Sequence, residues 1–395
     1  MKRNRFVRIV CMLVGSAIIF STFWGCAKKE YPSAETTVVD RFDSFEDFFE
    51  SATNDSDKND NDVFVPDCRE GHENVNGNTH ANLVNKGLAA EQDGWIYFYI
   101  QPRDGNSNDG KICKHRVGET EITEIAYFEN AVSRLSVKGD YIYYLDGNSL
   151  YKMRTDGSNI QDVFVSDENI EKGYMIVGDY IYVIRNEKYS STSSSNFIVR
   201  YPLDDTTECE KIYKLNEGDV FCGVTGEYII VKINSDSREK ETLAIYNMKT
   251  KQTRNHTYAA KSGTRFSNVQ LTEDAIYYTD SSTTCMVKLK LDDMSVIDAQ
   301  NINLRSQAIN FVDENTVYLT VGNWETEIFG SASELAKMSF SMLDNGNYHP
   351  ILEESAEDIC IVDGWIYYTS GTYSMENYCR VKTNGTGWEM LYEYV

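Results

Sequence analysis

The chain has 395 residues and a formal net charge of −23 at pH 7. A surface this acidic would repel the phosphates of nucleic acids and the headgroups of anionic lipids, so neither is expected as a ligand. Tyrosine is abundant, with 27 residues, and proline is scarce, with 5, which is typical of many short strands joined by tight turns.

The N-terminal segment has the layout of an export signal. It begins with four basic residues and no acidic one, followed by a mostly apolar stretch over 9–24. This stretch is too short for a comfortable membrane span, so residues 1–25 are predicted to be a secretory signal peptide. Removing its four positive charges from −23 would leave the exported part of the chain near −27.

The end of this signal resembles the lipobox of bacterial lipoproteins, because Gly25 precedes Cys26 and polar residues follow. The resemblance implies that Cys26 carries a diacylglycerol thioether and that the chain is anchored on the extracytoplasmic face of a bacterial cell membrane. Phe23 and Trp24 depart from the pattern, which prefers Leu and a small residue at these positions. An uncleaved anchor and ordinary secretion are the alternatives, and all three place the remaining chain outside the cytoplasm.

Residues 26–76 are predicted to be an acidic disordered linker. Apolar residues are few, and the run over 51–62 consists almost entirely of Asp, Asn, Ser and similar residues, which do not bury enough surface to order a chain. One segment differs, because four phenylalanines share one helical face: Phe42, Phe45, Phe48 and Phe49. This face either docks on a partner or on the following domain, or it fluctuates without a partner.

A short signature of consecutive aromatic and aliphatic residues after a turn recurs seven times from residue 93 onwards. Its central aliphatic residues are Ile96, Ile142, Ile181, Ile229, Ile276, Val317 and Ile366. The steps between them are 46, 39, 48, 47, 41 and 49 residues. Spacings of this size match one blade of a β-propeller.

Each repeat reads as four strands, and the second repeat is the clearest. Its predicted strands are 135–137, 141–145, 150–155 and 163–165, with Gly139-Asp140 and Asp156-Gly157 supplying the positive φ of tight turns. Strands such as 95–99 are apolar on both faces, as expected for a sheet packed between two others. The prediction is therefore an all-β fold, a β-propeller of about seven four-stranded blades over 77–395, preceded by a disordered tether.

Two segments resemble known propellers. The sequence Ile276-Tyr277-Tyr278-Thr279-Asp280 is similar to the YWTD signature of low-density-lipoprotein-receptor-type propellers. The opening Gly77-Asn78-Thr79, with asparagines at 82 and 85, resembles the start of a bacterial family of receptor-like propellers that is classed as a domain of unknown function. The resemblance covers 77–395 and implies the fold, not an activity. The blade number stays open, since six or eight blades are also possible. The mode of ring closure stays open as well, either within one repeat or by a blade shared between the chain ends.

In an up-and-down propeller the second turn of each blade and the inter-blade links lie on one face of the disc. These second turns are long and unequal in the sequence, at 101–109, 186–196, 234–241, 321–334 and 370–377. This variable-loop face is the predicted binding site, since loops on a rigid scaffold commonly carry function. Its candidate binding residues are the aromatics Tyr189, Trp324, Phe329 and Tyr373. The alternative is that each ring folds back on its own blade.

Cysteines and histidines form no recognisable metal or catalytic pattern. Seven cysteines follow Cys26 without CxxC spacing, which favours scattered buried thiols with at most one bridge, such as Cys209–Cys222. Cys113 and His115 are a lone Cys-x-His, for which a metal is the weaker interpretation. Turn geometry explains the aspartates of the Asp-Gly turns, and Ca²⁺ binding is the weaker interpretation there too. No metal, other cofactor or catalytic residue is predicted.

The favoured function is an extracytoplasmic, lipid-anchored binding module that recognises a cell-envelope protein or glycan through the variable-loop face. An enzyme is the less favoured class: a surface glycan hydrolase or lyase that uses acidic residues near the propeller channel, because carboxylates are plentiful. A structural sensor lobe attached to other envelope machinery is a third possibility.

Overall fold

The computed structural model describes residues 77–100, 110–147, 149–164, 173–188, 194–233, 242–256, 266–280, 285–301, 308–312, 316–322, 333–339, 349–352, 356–372 and 375–392. Contacts divide the chain into two units, 1–61 and 62–395, and every described residue belongs to the second. This unit is a β-propeller of seven four-stranded antiparallel blades, together with a short helix, α1 (His80–Val84). The predicted fold class is confirmed.

Each blade consists of four strands that are consecutive in the sequence. Blade 1 contains β1 (Ala89–Gln92), β2 (Trp95–Ile100), β3 (Gly110–Arg116) and β4 (Thr123–Phe128). Blade 2 contains β5 (Val132–Lys138), β6 (Tyr141–Asp146), β7 (Ser149–Arg154) and β8 (Gln161–Asp162). Blade 3 contains β9 (Met175–Val177), β10 (Tyr180–Lys188), β11 (Ser194–Pro202) and β12 (Glu210–Leu215).

Blades 4 to 7 repeat this arrangement. Blade 4 contains β13 (Val220–Thr225), β14 (Tyr228–Ile233), β15 (Thr242–Asn247) and β16 (Thr253–His256). Blade 5 contains β17 (Phe266–Leu271), β18 (Ala275–Asp280), β19 (Cys285–Lys290) and β20 (Val296–Asn301). Blade 6 contains β21 (Ile309–Phe311), β22 (Thr316–Gly322), β23 (Ser333–Ser339) and β24 (His349–Leu352). Blade 7 contains β25 (Glu357–Val362), β26 (Trp365–Thr372), β27 (Met375–Lys382) and β28 (Glu389–Tyr392).

Blade 2 forms the predicted hairpins with one correction. Lys138 pairs with Tyr141 around a two-residue turn, and Gly139 there has a φ of 59°, as the sequence requires. The fourth strand was predicted at 163–165, but β8 ends at Asp162. Val163 instead turns inward and is 1% exposed, so its apolar side chain packs into the gap between blades 2 and 3.

The apolar core lies in the gaps between blades. Separate clusters of buried residues fill the contacts of blades 2 and 3, 3 and 4, 4 and 5, 5 and 6, and 6 and 7. A further cluster joins blades 7, 1 and 2 and includes Ile96, Val137 and Tyr367. The second strand of a blade is buried on both faces because a neighbouring sheet covers each side, which explains its unbroken apolar sequence.

Ring closure joins two complete blades. Blade 1 and blade 7 each consist of four consecutive strands, so among the described strands no blade is shared between the chain ends. Their inner strands β1 and β25 lie side by side, and the thiol of Cys360 donates to the carbonyl of Ala89 at 3.1 Å. The described strands therefore form seven blades. Ring closure depends on contacts between side chains and backbone across the junction of blades 1 and 7.

A buried polar cluster spans the junction; we call His115, Tyr367, Arg380 and Glu389 the closure cluster. His115 Nε2 of blade 1 lies 2.6 Å from the Tyr367 hydroxyl and 2.7 Å from Arg380 Nη1 of blade 7. Because a guanidinium only donates, Nε2 is the acceptor, and the proton on Nδ1 is donated to the Arg116 carbonyl at 2.7 Å. Burial is the main cause that lowers the pKa of His115, which keeps this ring neutral.

Arg380 has its own partners within blade 7. Its Nε and Nη2 donate to one oxygen of Glu389 at 2.8 and 2.6 Å, and its guanidinium lies 4.4 Å from the centre of the Trp365 ring. Arg380 and His115 are each 1% exposed. The charge is therefore fully withdrawn from water and compensated by one carboxylate, one imidazole and one aromatic face.

Blade 3 offers an internal comparison. Arg200 on the third strand of that blade donates to Glu210 at 2.8 Å and lies 4.4 Å from the Tyr180 ring, as Arg380 does with Glu389 and Trp365. Its side chain is 25% exposed, whereas that of Arg380 is 1% exposed. Arg380 differs from Arg200 in its bonds to the neighbouring blade 1, to His115 Nε2 at 2.7 Å and to the Glu119 carbonyl at 3.3 Å.

Replacing Arg380 by Met is expected to lower the free energy of unfolding by about 2–4 kcal/mol, because it removes a buried charge-assisted network at the ring junction. Urea denaturation followed by circular dichroism measures this change. The matched control is Arg200→Met, which breaks a partly exposed pair and is expected to cost about 1 kcal/mol or less. Equal losses in the two variants would contradict a special role for the closure cluster.

Candidate functional site

The segment that precedes blade 1 fills the central channel of the ring. Gly77 accepts a hydrogen bond from the backbone N–H of Val137 at 2.9 Å, and Gly87 accepts one from Leu135 at 3.0 Å. Between them, α1 contacts the inner strands β17, β21 and β25. We call residues 77–88 the plug.

Polar side chains of the plug bind the inner strands one by one. The Asn78 amide donates to the carbonyls of Ala89 and Leu135 at 2.9 and 2.7 Å, and Asn85 donates to Ile309 at 2.6 Å. Together with the bonds of Asn82 and His80, hydrogen bonds from the plug reach β1, β5, β13, β17, β21 and β25. The plug therefore ties together strands that come from six different blades.

Asn82 is the most fully bonded of these residues. Its side-chain oxygen accepts from the backbone N–H of Ile361 and from the Asn310 amide, both at 2.8 Å. Its own amide donates to the Ile361 carbonyl at 2.9 Å and to Asn78 at 3.0 Å. A side chain that both donates and accepts in this way satisfies the free edge of β25 as a neighbouring strand would.

His80 occupies the opposite side of the plug. Its Nδ1 accepts from the backbone N–H of Leu271 at 3.2 Å, so Nε2 carries the proton and donates to the Cys222 carbonyl at 2.8 Å. Burial lowers the pKa of His80 to about 4. A Cβ on Gly223 would collide with Nε2 of His80, so only glycine allows β13 to approach the His80 imidazole this closely.

The registers confirm which turns share a face. The inner strand of blade 1 begins beside the end of β2, since the backbone N–H of Tyr99 donates to the Leu88 carbonyl, and the loop over 101–109 follows at this end. The loops over 189–193, 323–332 and 373–374 connect the second and third strands of their blades in the same way. The four candidate residues, Tyr189, Trp324, Phe329 and Tyr373, belong to these loops and lie outside the described residues, as does Cys26.

The channel mouth lies on the variable-loop face, and its residues are described. Here Lys86, at the end of the plug, forms an ion pair of 2.7 Å with Asp358 on β25. The Tyr99 hydroxyl lies 3.4 Å from the Lys86 carbonyl, and Arg134 on β5 donates its backbone N–H to the same carbonyl at 2.8 Å. Two cations and one carboxylate thus surround the end of the plug, in a chain that is otherwise strongly acidic.

The opposite, short-turn face carries carboxyl groups with raised pKa values. Burial is the main cause at both Glu91 and Asp363, and the charge of Asp363 also raises the pKa of Glu91. The two groups sit beside a channel that the plug fills.

The described residues also bear on the predicted disulfide and on metal binding. Cys209 and Cys222 form no disulfide, so the suggested bridge between them is wrong: Cys209 precedes the outer strand of blade 3, whereas Cys222 is on the inner strand of blade 4. Within the described ranges no group of three or more His, Cys, Asp and Glu side chains is placed to hold a metal ion. No helix of the described chain is long and apolar enough to cross a membrane.

Sequence reasoning missed the plug. The resemblance had pointed to the asparagines of 77–85, but it gave no position for them in the fold. The available signal was their composition: Asn78, Asn82 and Asn85 are spaced by four and three residues and precede the first repeat. Asparagines at helical spacing next to a ring of edge strands are suited to donate and accept hydrogen bonds on one face.

Comparisons with known proteins support the fold. No family model matches the chain, and no curated protein sequence matches it. A puromycin-hydrolysing peptidase of Mycobacterium tuberculosis is similar with a TM-score of 0.55 and 9% identity over 81% of this chain and 56% of its own. A structure from a study of two prolyl endopeptidases is similar with a TM-score of 0.53 and 8% identity, over 80% of this chain and 51% of its own. A chain of a nidogen–laminin complex has a TM-score of 0.35 and 13% identity, over 53% of this chain and 76% of its own.

The chain spans about half the length of the two peptidases that it matches. At 8–9% identity the likeness establishes the β-propeller fold alone. The resemblance to the bacterial receptor-like family stays a prediction from the sequence.

The neutral His80 predicts a pH dependence. Because its pKa is about 4 in the folded protein and 6.5 in the unfolded chain, the unfolded chain binds the proton first as the pH falls. Its contribution to stability is complete above pH 6.5 and is lost as the pH falls towards 4. Relative to His80→Gln, the wild-type protein should lose about 2 kcal/mol more unfolding free energy between pH 7 and pH 5.

Urea titrations at the two pH values measure this difference. His256→Gln is the control, since His256 lies half-buried on the outer strand β16 and is bonded to the Tyr278 hydroxyl at 3.1 Å. It should change the pH dependence less than His80→Gln does. An identical pH dependence in wild-type protein and His80→Gln would show that the plug does not depend on a neutral imidazole.

Proposed function

We propose that this protein is an extracytoplasmic, lipid-anchored binding module that recognises a cell-envelope protein or glycan through its variable-loop face. The observation that carries the proposal is the combination of a filled channel with unequal loops around one channel mouth. A rigid ring that presents such loops provides a surface for recognition.

The rigidity of the scaffold supports the proposal. The inter-blade gaps are packed with buried apolar residues, the plug bonds strands of six blades, and the closure cluster joins blades 1 and 7. The strands from which the variable loops extend are therefore held in fixed positions, which reduces the conformational cost of binding at this face. The aromatic candidates Tyr189, Trp324, Phe329 and Tyr373 would supply contact area at this surface.

A surface glycan hydrolase or lyase is the second candidate. What favours it is the pair Glu91 and Asp363, because a carboxyl group with a raised pKa is suited to general acid catalysis. This pair lies at the short-turn end, opposite the variable loops. The two functions therefore require different faces of the same ring and can be separated by substitution.

Partner capture tests the binding function. The purified protein is immobilised and exposed to solubilised envelope proteins and to cell-wall glycans, and retained material is identified by mass spectrometry. Trp324→Ala is expected to weaken retention of a saturable partner at least about tenfold, as removal of an aromatic anchor does, without changing the unfolding midpoint.

The matched control is Trp388→Ala, which removes a 41% exposed tryptophan beside the outer strand β28. Retention should not change in this variant. Equal effects of the two substitutions, or capture that survives removal of 323–332, would count against the variable-loop face. Shortened glycans in the flow-through that disappear in Glu91→Gln would favour the enzyme instead.

Lipid anchoring has its own test. In cells that process lipoproteins, the wild-type chain should partition into a detergent phase and incorporate labelled fatty acid, and Cys26→Ser should lose both properties almost completely. The reason is that a thioether-linked diacylglycerol supplies two buried acyl chains, enough for stable attachment. Membrane association that persists in Cys26→Ser would indicate an uncleaved anchor, and wild-type protein in the medium would indicate secretion.

A further inference from the structure

Arg134 occupies an unusual backbone position at the channel mouth. It lies in a bulge of the inner strand β5, where the pairing with β6 shifts between Ser133 and Ser136, and its φ is 53°. Bulges at the same level of blades 5 and 7 place Asn268 and Asp358 at φ values of 48° and 55°. Asn and Asp tolerate this left-handed conformation better than other side chains, so an arginine there is unexpected.

The backbone of Arg134 is fixed on both sides. Its N–H donates to the Lys86 carbonyl at 2.8 Å, and its carbonyl accepts from the Tyr174 hydroxyl at 2.6 Å. Gly173 lies against the guanidinium, and a Cβ there would stand 2.5 Å from Nη1. The side chain is therefore held at the mouth beside the end of the plug.

The guanidinium of Arg134 is half-buried and lacks an acceptor among the described residues. No oxygen within the described part of the chain receives a hydrogen bond or forms an ion pair with it. The other arginines with buried or half-buried side chains have partners, since Arg200 and Arg380 each bind a glutamate and Arg185 donates to Cys209 Sγ at 3.0 Å. The nearby carboxylate of Asp358 is already paired with Lys86 at 2.7 Å.

We propose that Arg134 is the binding group of an anion site at the channel mouth, and that its ligand is a small organic monocarboxylate. A planar guanidinium with five N–H donors fits a carboxylate in a two-bond arrangement. The removal of water from Arg134 strengthens such a pair. This site lies on the same face as the proposed partner recognition but uses no residue of the variable loops.

The charge of the whole molecule selects the class of anion. A chain with a net charge of −23 repels ligands in proportion to their own negative charge, so polyphosphates and polyanionic glycans are disfavoured. A ligand with a single negative charge is attracted by the arginine and is repelled least by the net negative charge of the molecule. Lys86, whose side chain is 49% exposed, adds a second positive charge at the same mouth.

Nuclear magnetic resonance of the arginine Nε–Hε groups tests the site in the full exported protein. Sodium acetate is titrated at constant ionic strength, with sodium chloride and acetamide as reference titrations. The Arg134 resonance, assigned by its absence in Arg134→Asn, should shift saturably with a Kd on the order of 10 mM. The resonances of Arg200 and Arg380 should stay in place because their carboxylate partners already occupy them.

Arg134→Asn is chosen because Asn268 occupies the equivalent bulge, so this variant is expected to fold with an unchanged or higher melting temperature. Acetate should raise the melting temperature of the wild-type protein and not that of Arg134→Asn. A shift that does not saturate, that sodium chloride reproduces, or that is equally large for Arg200 would overturn the proposal. An acetate-dependent rise in melting temperature that persists in Arg134→Asn would overturn it as well.

Discussion

The free edges of the inner strands are the constraint on which this structure depends. In each blade the first strand has a partner on one side only, and its other edge faces the channel. Backbone groups on such an edge need hydrogen bonds, and seven of these edges converge on a space too narrow for an ordinary strand to serve them all. The plug meets this requirement with side chains, since Asn82 alone bonds both backbone groups of Ile361 and the amide of Asn310. The same segment therefore fills the channel and holds the inner strands of the ring together.

The fold was predictable because its signal is local and repeated. A strand such as β2, with Ile96 to Ile100 all buried, shows its double-sided packing directly in the sequence. The bonding partners of the plug and of the closure cluster were not predictable, because they are far apart in the chain: Asn82 and Ile361 are 279 residues apart, and His115 and Arg380 are 265 apart. His115 had been considered with Cys113 for a metal, whereas its partners come from blade 7. No periodicity in a single sequence reports such pairs.

The repeated sequence pattern of the blades also supplies part of the contact between blades 1 and 7. In six blades a tyrosine of the second strand lies opposite a basic residue of the third strand, as in Tyr182 with Arg200 and Tyr367 with Arg380. Five of these pairs stay within the ordinary pattern. In blade 7 the neighbour is blade 1, and His115 adds an acceptor that turns a common cross-strand pair into a contact between the two ends of the ring. A single residue of blade 1 thus supplements the apolar packing that all junctions share.

A filled channel also changes where chemistry is available. With the plug in place, an incoming group meets the ends of the plug and the surrounding loops, and it does not meet the channel wall. At the variable-loop end this places Lys86, Asp358 and Arg134 at the base of the loops, on backbone that is fixed by hydrogen bonds. A charged group on fixed backbone binds without the ordering penalty that a loop residue would add. The channel mouth is for this reason the part of the described ring best suited to hold a small ligand, while the loops around it remain free to vary.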